Sequence, residues 1–202
     1  MKLIFASNNQ HKVDEIRHVT GSSLELLTLK EAGIDIDIPE PHDTLEQNAS
    51  EKSMTIYQMT KTSCFSEDTG LEVAALNGEP GVKSARYAGE NKSFDKNIEK
   101  LLNKLKDKAD RKARFRTVIS LILDGEEHLF EGTCNGRILH ERKGLHGFGY
   151  DSVFIPEGSE KTFAEMNPEE KSQYSHRKKA TGKLVAFLTE YNHIKHISES
   201  NY

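Results

Sequence analysis

Apolar residues along this chain recur with two periods, and the switches between them mark out its elements. Lys2 to Ser7 reads as a short strand. The turn Asn8-Asn9-Gln10-His11-Lys12 then enters a helix carried by Val13, Ile16 and Val19 at helical spacing, stopped near Gly21. Leu24 to Leu29 reads as a second strand, so the chain opens strand–helix–strand, the start of an α/β sheet. A helix from Thr44 to about Thr62 follows, with Phe65 on the next strand. Leu71 to Leu76 fits either a strand or a short helix, and Gly78-Glu79-Pro80-Gly81 is a turn by composition. Ser93 caps a predicted helix through Lys106, whose buried stripe is Ile98, Leu101, Leu102 and Leu105. Phe115–Leu123 and His128–Cys134, joined at Asp124-Gly125-Glu126, form a predicted hairpin. The stretch Gly144–Tyr150 precedes a strand at Ser152–Ile155. A last helix is expected from about Ser175 to Tyr191, with a polar, frayed tail after it.

The totals narrow the class. With 202 residues the chain suits one domain, expected over residues 1–195 with 196–202 as tail, built as one or two lobes. At 30% charged and 35% hydrophobic residues, no run approaches the roughly 20 apolar residues of a spanning helix, so no membrane partner is expected. Met1–Phe5 is too short an apolar stretch for a signal peptide, and the expected location is cytoplasmic. Cys64 and Cys134 are far apart without zinc spacing and are expected to be ordinary thiols. A net charge of −4 argues against general nucleic-acid binding. It hides a separation, however: residues 25–51 are strongly acidic, and 100–116 and 171–183 strongly basic.

Four segments carry candidate chemistry. Ser66-Glu67-Asp68-Thr69-Gly70 reads as a strand end turning sharply at Gly70, with both carboxylates at the turn. Carboxylates beside a buried strand are costly to desolvate unless a cation or proton requires them. Glu67 and Asp68 are therefore candidate Mg²⁺ ligands, or one is a base; the plainer alternative is an Asp-Thr-Gly turn. Ser7 to Lys12 joins a strand to a helix N-terminus, an anion site by its free N–H groups, although an Asn-capped helix with a surface lysine describes it equally well. Gly147-Phe148-Gly149-Tyr150-Asp151 offers an aromatic platform between glycines, or a tight loop with core aromatics. Ser175-His176-Arg177 puts two donors in the first turn of a helix, against its dipole. An anionic or carbonyl-bearing ligand would resolve that conflict.

Together these segments resemble the Ham1/inosine triphosphatase family of nucleoside triphosphate pyrophosphatases. The matching pieces are Ser7-Asn8-Asn9 with Lys12 and Glu15, Ser66 to Val73, and Pro80-Gly81-Val82 with Ser84 to Gly89. Gly147 to Asp151, Thr162 to Met166, Lys171 and Ser175-His176-Arg177 complete the set, in the family's order. The resemblance implies an elongated α/β fold, two-lobed with a mixed sheet and the active site in the cleft between lobes, acting as a homodimer. It implies Mg²⁺-dependent hydrolysis of dITP, ITP and XTP to the monophosphate and pyrophosphate, cleansing the nucleotide pool. By the same resemblance Ser7, Asn8, Asn9, Gln10, His11 and Lys12 would cradle the triphosphate, with Lys52 facing the phosphates. Asp68 would be the general base and a metal ligand, with Glu40 the best match to a second metal-binding acid, Glu46 its rival, and Glu67 in support. Thr69 would contact substrate, Phe148, Gly149, Tyr150 and Asp151 would hold the base with Lys171, and His176 and Arg177 would read its 6-oxo edge. Two departures stand out: Ser152 replaces the usual proline, and Gln47-Asn48 replaces a Glu-Asn pair. A Maf-like pyrophosphatase and a non-catalytic nucleotide-binding module are the rival readings.

Overall fold

A computed structural model describes residues 2–199. Strand β1 (Lys2–Phe5) leads into helix α1 (Gln10–Thr20), strand β2 (Glu25–Thr28), helix α2 (Leu45–Thr60) and the long strand β3 (Cys64–Val73). The short strand β4 (Pro80–Gly81), helix α3 (Phe94–Lys104), the hairpin β5 (Lys112–Leu123) and β6 (Glu126–Ile138), and β7 (Phe154–Pro156) follow. Helices α4 (Pro168–Tyr174) and α5 (His176–Glu199) close the chain.

The helix starts are set by the expected side chains: Asn9, Thr44 and Ser93 each accept a hydrogen bond from a backbone N–H of the first turn. Gly21 ends α1 with a positive φ of 50°, at no steric cost for a residue without Cβ.

The strands form one seven-stranded mixed sheet in the order β2-β1-β3-β5-β6-β7, with β4 on the side of β3. The β2-β1-β3 pairs are parallel, and β3-β5-β6-β7 run antiparallel. Because β3 and β5 are long, they serve two cores. Phe65, Ile119, Leu121 and Leu123 pack with α1 and α5 at one end. Leu71, Val73, Ala113 and Phe115 pack with α3, Phe154 and Phe163 at the other. Two lobes thus share one sheet, and the middle of β3 lies between them. Among the described residues no helix is long and apolar enough to cross a membrane.

Two expectations are corrected and one ambiguity is resolved. The chain does not turn at Gly70: β3 runs through it, in register with Arg116 of β5. The glycine serves close approach instead, since a Cβ there would lie 2.7 Å from the Gly81 carbonyl oxygen on β4. Helix α5 continues past Tyr191 to Glu199, because no glycine or proline interrupts residues 191–199. Residues 200–202 of the expected tail lie outside the described residues. Leu71–Leu76, ambiguous between strand and helix, is both: strand to Val73, then a 3₁₀ turn at Ala74–Leu76.

Candidate active site

Successive residues of a strand face opposite sides of the sheet, and β3 uses this to separate its two acids. Glu67 pairs with Ile119 and points toward α1 and α5; Asp68 pairs with Val118, on the side covered by Leu45 and Ala49 of α2. Arg177, in the first turn of α5, donates to Glu67 through Nε at 2.7 Å and through Nη2 at 3.1 Å. Lys12 Nζ reaches the same carboxylate at 2.9 Å. Burial would raise this acid, but the Arg177 and Lys12 charges outweigh it and hold it well below the usual carboxylate range. Both oxygens accept from Arg177 or Lys12, and Glu67, unlike Asp68 and Glu40, does not line the cleft. It therefore serves as a counter-ion to those two cations rather than in the metal-binding place expected of it.

Asp68 is the reverse case. Its Oδ1 accepts the Thr69 N–H at 2.9 Å and lies 3.8 Å from Lys52 Nζ. Its buried Oδ2 has no hydrogen-bond partner among the described residues. Neighbouring Asn48 binds both backbone groups of His42 through its amide and is near enough to favour the Asp68 carboxylate slightly. Burial raises the Asp68 carboxyl above its ordinary value despite the nearby Lys52 and Lys12. A partnerless buried carboxylate oxygen is costly, and costs of that kind concentrate at functional sites.

Lys52, near the middle of α2, also pairs with Glu40, which in turn accepts from Arg86 Nη1 at 3.3 Å. Glu40 and Asp68 therefore bracket one ammonium, and both line the cleft. Glu46 does not: it pairs with Arg116 of β5, beside Glu72 and Glu131. Of the two acids offered by the acidic loop and the start of α2, the geometry brings only Glu40 to Asp68.

The cleft has a volume of about 410 Å³. One end holds Ser7, Asn8, Asn9 and Lys12 at the start of α1. Ser7 Oγ accepts the Asn9 N–H at 3.2 Å, and Asn8 Nδ2 donates to the Ile36 carbonyl at 3.2 Å, fixing the loop before the helix. Gln10 and His11 were expected in this cradle, but their side chains turn away. Gln10 donates to Asp14 at 2.6 Å, and His11 stacks on Phe148, which leaves each only a backbone N–H for an anion.

The other end holds Phe148, Gly149, Tyr150, Asp151, Lys171 and His176, with Arg177 between the two ends, sharing Glu67 with Lys12. Asp151 Oδ2 accepts the Phe148 N–H at 3.0 Å and Lys171 Nζ at 2.7 Å, and Tyr150 donates to the Ser84 carbonyl at 2.8 Å. His176 lies flat on Phe115, ring centroids 4.7 Å apart and planes 11° apart, and its buried Nδ1 has no hydrogen-bond partner among the described residues. Burial, reinforced by Arg177, pushes its pKa well below 6.5, so the imidazole is neutral. The conflict with the helix dipole is thus resolved within the protein: His176 is uncharged, and Arg177 is matched by Glu67 and Glu15. Arg177 also donates to Thr69 Oγ1 at 3.3 Å. With most of its fork committed, Arg177 positions the site more than it reads a ligand.

Glu15 had matched the family pattern without a role. It joins two of the basic residues of the site, accepting from Lys171 at 2.7 Å and from Arg177. Phe115, Arg86 and Phe94 also line or brace the cleft and had not been singled out.

Residues 3–187 match the Ham1 family. The chain belongs to the Ham1 family.

Among its relatives, the dITP/XTP pyrophosphatase of Porphyromonas gingivalis is 52% identical over 188 residues, covering 93% of this chain and 97% of that protein. The dITP/XTP pyrophosphatase of Flavobacterium psychrophilum is 48% identical over 188 residues, covering 93% of this chain and 99% of its own. The solved structure of the Staphylococcus aureus Ham1 protein matches with a TM-score of 0.86 at 43% identity, covering 95% of this chain and all of that one. The HAM1 protein from Coxiella burnetii also gives 0.86, at 35% identity and 94% coverage of this chain.

Ham1 resemblance implies a divalent metal, and the donors in this cleft fit one. Among the described residues no three His, Cys, Asp or Glu side chains are grouped to hold a metal alone. Mg²⁺ commonly takes only one or two carboxylates and completes its shell with water and substrate phosphates. Asp68 and Glu40, which line the cleft on either side of Lys52, would supply that donor set.

Proposed function

We propose that this Ham1 protein hydrolyses non-standard purine nucleoside triphosphates (dITP, ITP and XTP) to the monophosphate and pyrophosphate. One observation carries the reading. The cleft sets Lys12 and Lys52 around the partnerless oxygen of Asp68, which suits a triphosphate. Further along it sets aromatic Phe148, Tyr150 and Phe115 beside cations already matched by acids (Lys171 by Asp151 and Glu15, Arg177 by Glu67 and Glu15), which suits a base.

Phosphoryl transfer needs positioning and charge neutralisation more than covalent chemistry. Lys12 and Lys52 stand beside Asp68 and offset the charge of the α–β phosphoanhydride, helped by the N–H groups at the start of α1. Asp68 Oδ2, buried and unpaired, accepts the proton of the attacking water; burial raises its proton affinity, as a general base requires. Mg²⁺, held by Asp68 and Glu40, would neutralise charge on the phosphate oxygens. At the far end Phe148 offers a ring face to the base. Neutral His176 offers a buried nitrogen that, as the N–H tautomer, donates to a 6-oxo group. Adenine presents an amine there, and two facing donors leave a buried group unpaired, worth about 1–3 kcal/mol of discrimination. We further propose, from the family resemblance, that the protein works as a cytoplasmic homodimer.

The test is to incubate the purified protein with dITP, XTP, dGTP and dATP plus Mg²⁺ and to assay pyrophosphate and orthophosphate separately. The reading requires pyrophosphate as the primary product and dITP and XTP preferred. Orthophosphate as the first product, or dATP cleaved as fast as dITP, rejects it.

A further inference from the structure

We propose that His11 is the positioning residue for the base platform: its ring backs Phe148 and holds it in place as the aromatic wall of the cleft. The proposal rests on the pyrophosphatase reading above and adds a residue to it. The two rings lie with centroids 4.9 Å apart and planes 9° apart, a parallel stack. They come from different lobes, since His11 sits in the first turn of α1 and Phe148 in the segment that leads to β7. The stack therefore ties the two walls of the cleft together at the base end.

Two hollows meet at Phe148. The catalytic cleft is bordered by Phe148 but not by His11. A neighbouring hollow of about 830 Å³ is bordered by both. Phe148 is thus part of the partition between them, with His11 on the outer side. Gly147 and Gly149, both at positive φ (79° and 61°), flank the ring in a loop that has few side chains of its own to brace it. Phe148 is anchored through its backbone N–H to Asp151, which fixes the main chain. Its ring meets Phe94 at a tilt of 48° with centroids 6.2 Å apart and has Lys171 and Arg177 over it at 5.2 and 5.8 Å, so among the described residues His11 is its parallel stacking partner. Without His11 the ring has the outer hollow to swing into, and the platform would be lost for part of the time.

The experiment measures steady-state kinetics on dITP, inhibition by inorganic pyrophosphate, and equilibrium binding of dIMP for wild type, His11→Ala and His11→Phe. We expect His11→Ala to raise KM and the dIMP dissociation constant roughly threefold to tenfold, the usual worth of an aromatic pair, with kcat within about twofold. His11→Phe restores both, because a phenyl ring stacks as imidazole does. The inhibition constant of pyrophosphate, which probes the phosphate end alone, stays unchanged in both variants. An unchanged KM in His11→Ala, a pyrophosphate constant that rises in step with KM, or no rescue by His11→Phe overturns the proposal. Should wild type bind dIMP yet leave dITP intact, the pyrophosphatase reading fails and the dIMP titration still decides the role of His11. Should wild type bind no dIMP, both fall.

Discussion

Arg177 grips Glu67 with two hydrogen bonds, of 2.7 and 3.1 Å, on one side of the strand whose next residue, Asp68, has a buried oxygen with no hydrogen-bond partner among the described residues. Neighbouring acids on one strand therefore have opposite effects on stability. Removing the charge of Glu67 leaves the buried Arg177 and Lys12 underpaired. Glu67→Gln is expected to cost about 3–5 kcal/mol, as breaking a buried pair does. Asp68→Asn removes a desolvated charge that the protein accommodates poorly, so its unfolding midpoint equals or exceeds that of wild type. Paired denaturant titrations of the two variants at neutral pH check this; a loss of stability in Asp68→Asn as large as in Glu67→Gln contradicts the assignment.

Glu15 predicts a pH dependence. Burial raises its carboxyl, but Arg177 and Lys171 outweigh that and lower its pKa from 4.5 to about 2. A folded-state pKa below the unfolded value means that the contribution to stability is complete above pH 4.5 and is lost as pH falls from 4.5 toward 2. That shift is worth about 3 kcal/mol. Glu15→Gln should lower stability at pH 7 by about that amount and flatten the fall between pH 4.5 and 2. Urea unfolding at a series of pH values reads both.

The fold was legible where local chemistry decides it. Asn9, Thr44 and Ser93 announced three helix starts, and Asp124-Gly125-Glu126 announced the hairpin. It was misread at Gly70, because a glycine after Asp-Thr looks like a turn when its real partner, Gly81, is brought alongside only by tertiary structure. Helix α4 was overlooked although its signal was present: Asn167-Pro168-Glu169-Glu170 is an N-cap, a proline in the first turn and a reciprocal capping glutamate. In the site, the motifs named most of the polar lining of the cleft, but they missed Phe94 and Phe115, included Gln10, His11 and Glu67, which do not line it, and did not give the division of labour. That Glu67 is spent on Arg177 and Asp68 is free follows from strand alternation, which a presumed turn conceals. That Glu15 ties Lys171 to Arg177 depends on contacts across 156 and 162 residues of sequence, which no local pattern encodes.

Glu40 and Asp68 bracket Lys52, so metal dependence should pass through both acids. Chelation is expected to abolish turnover. Glu40→Gln should raise the Mg²⁺ concentration for half-maximal activity on the order of tenfold while activity at saturating metal changes far less. A Mg²⁺ titration of dITP hydrolysis checks this; an unshifted midpoint removes Glu40 from the metal site.

The most direct test of the central claim is pyrophosphate release from dITP by Asp68→Asn at saturating Mg²⁺. With the fold intact and the proton acceptor gone, the rate should fall by about 10²–10⁴-fold, the usual contribution of a positioned general base. Turnover within a few-fold of wild type would contradict the account and place the chemistry elsewhere in the cleft.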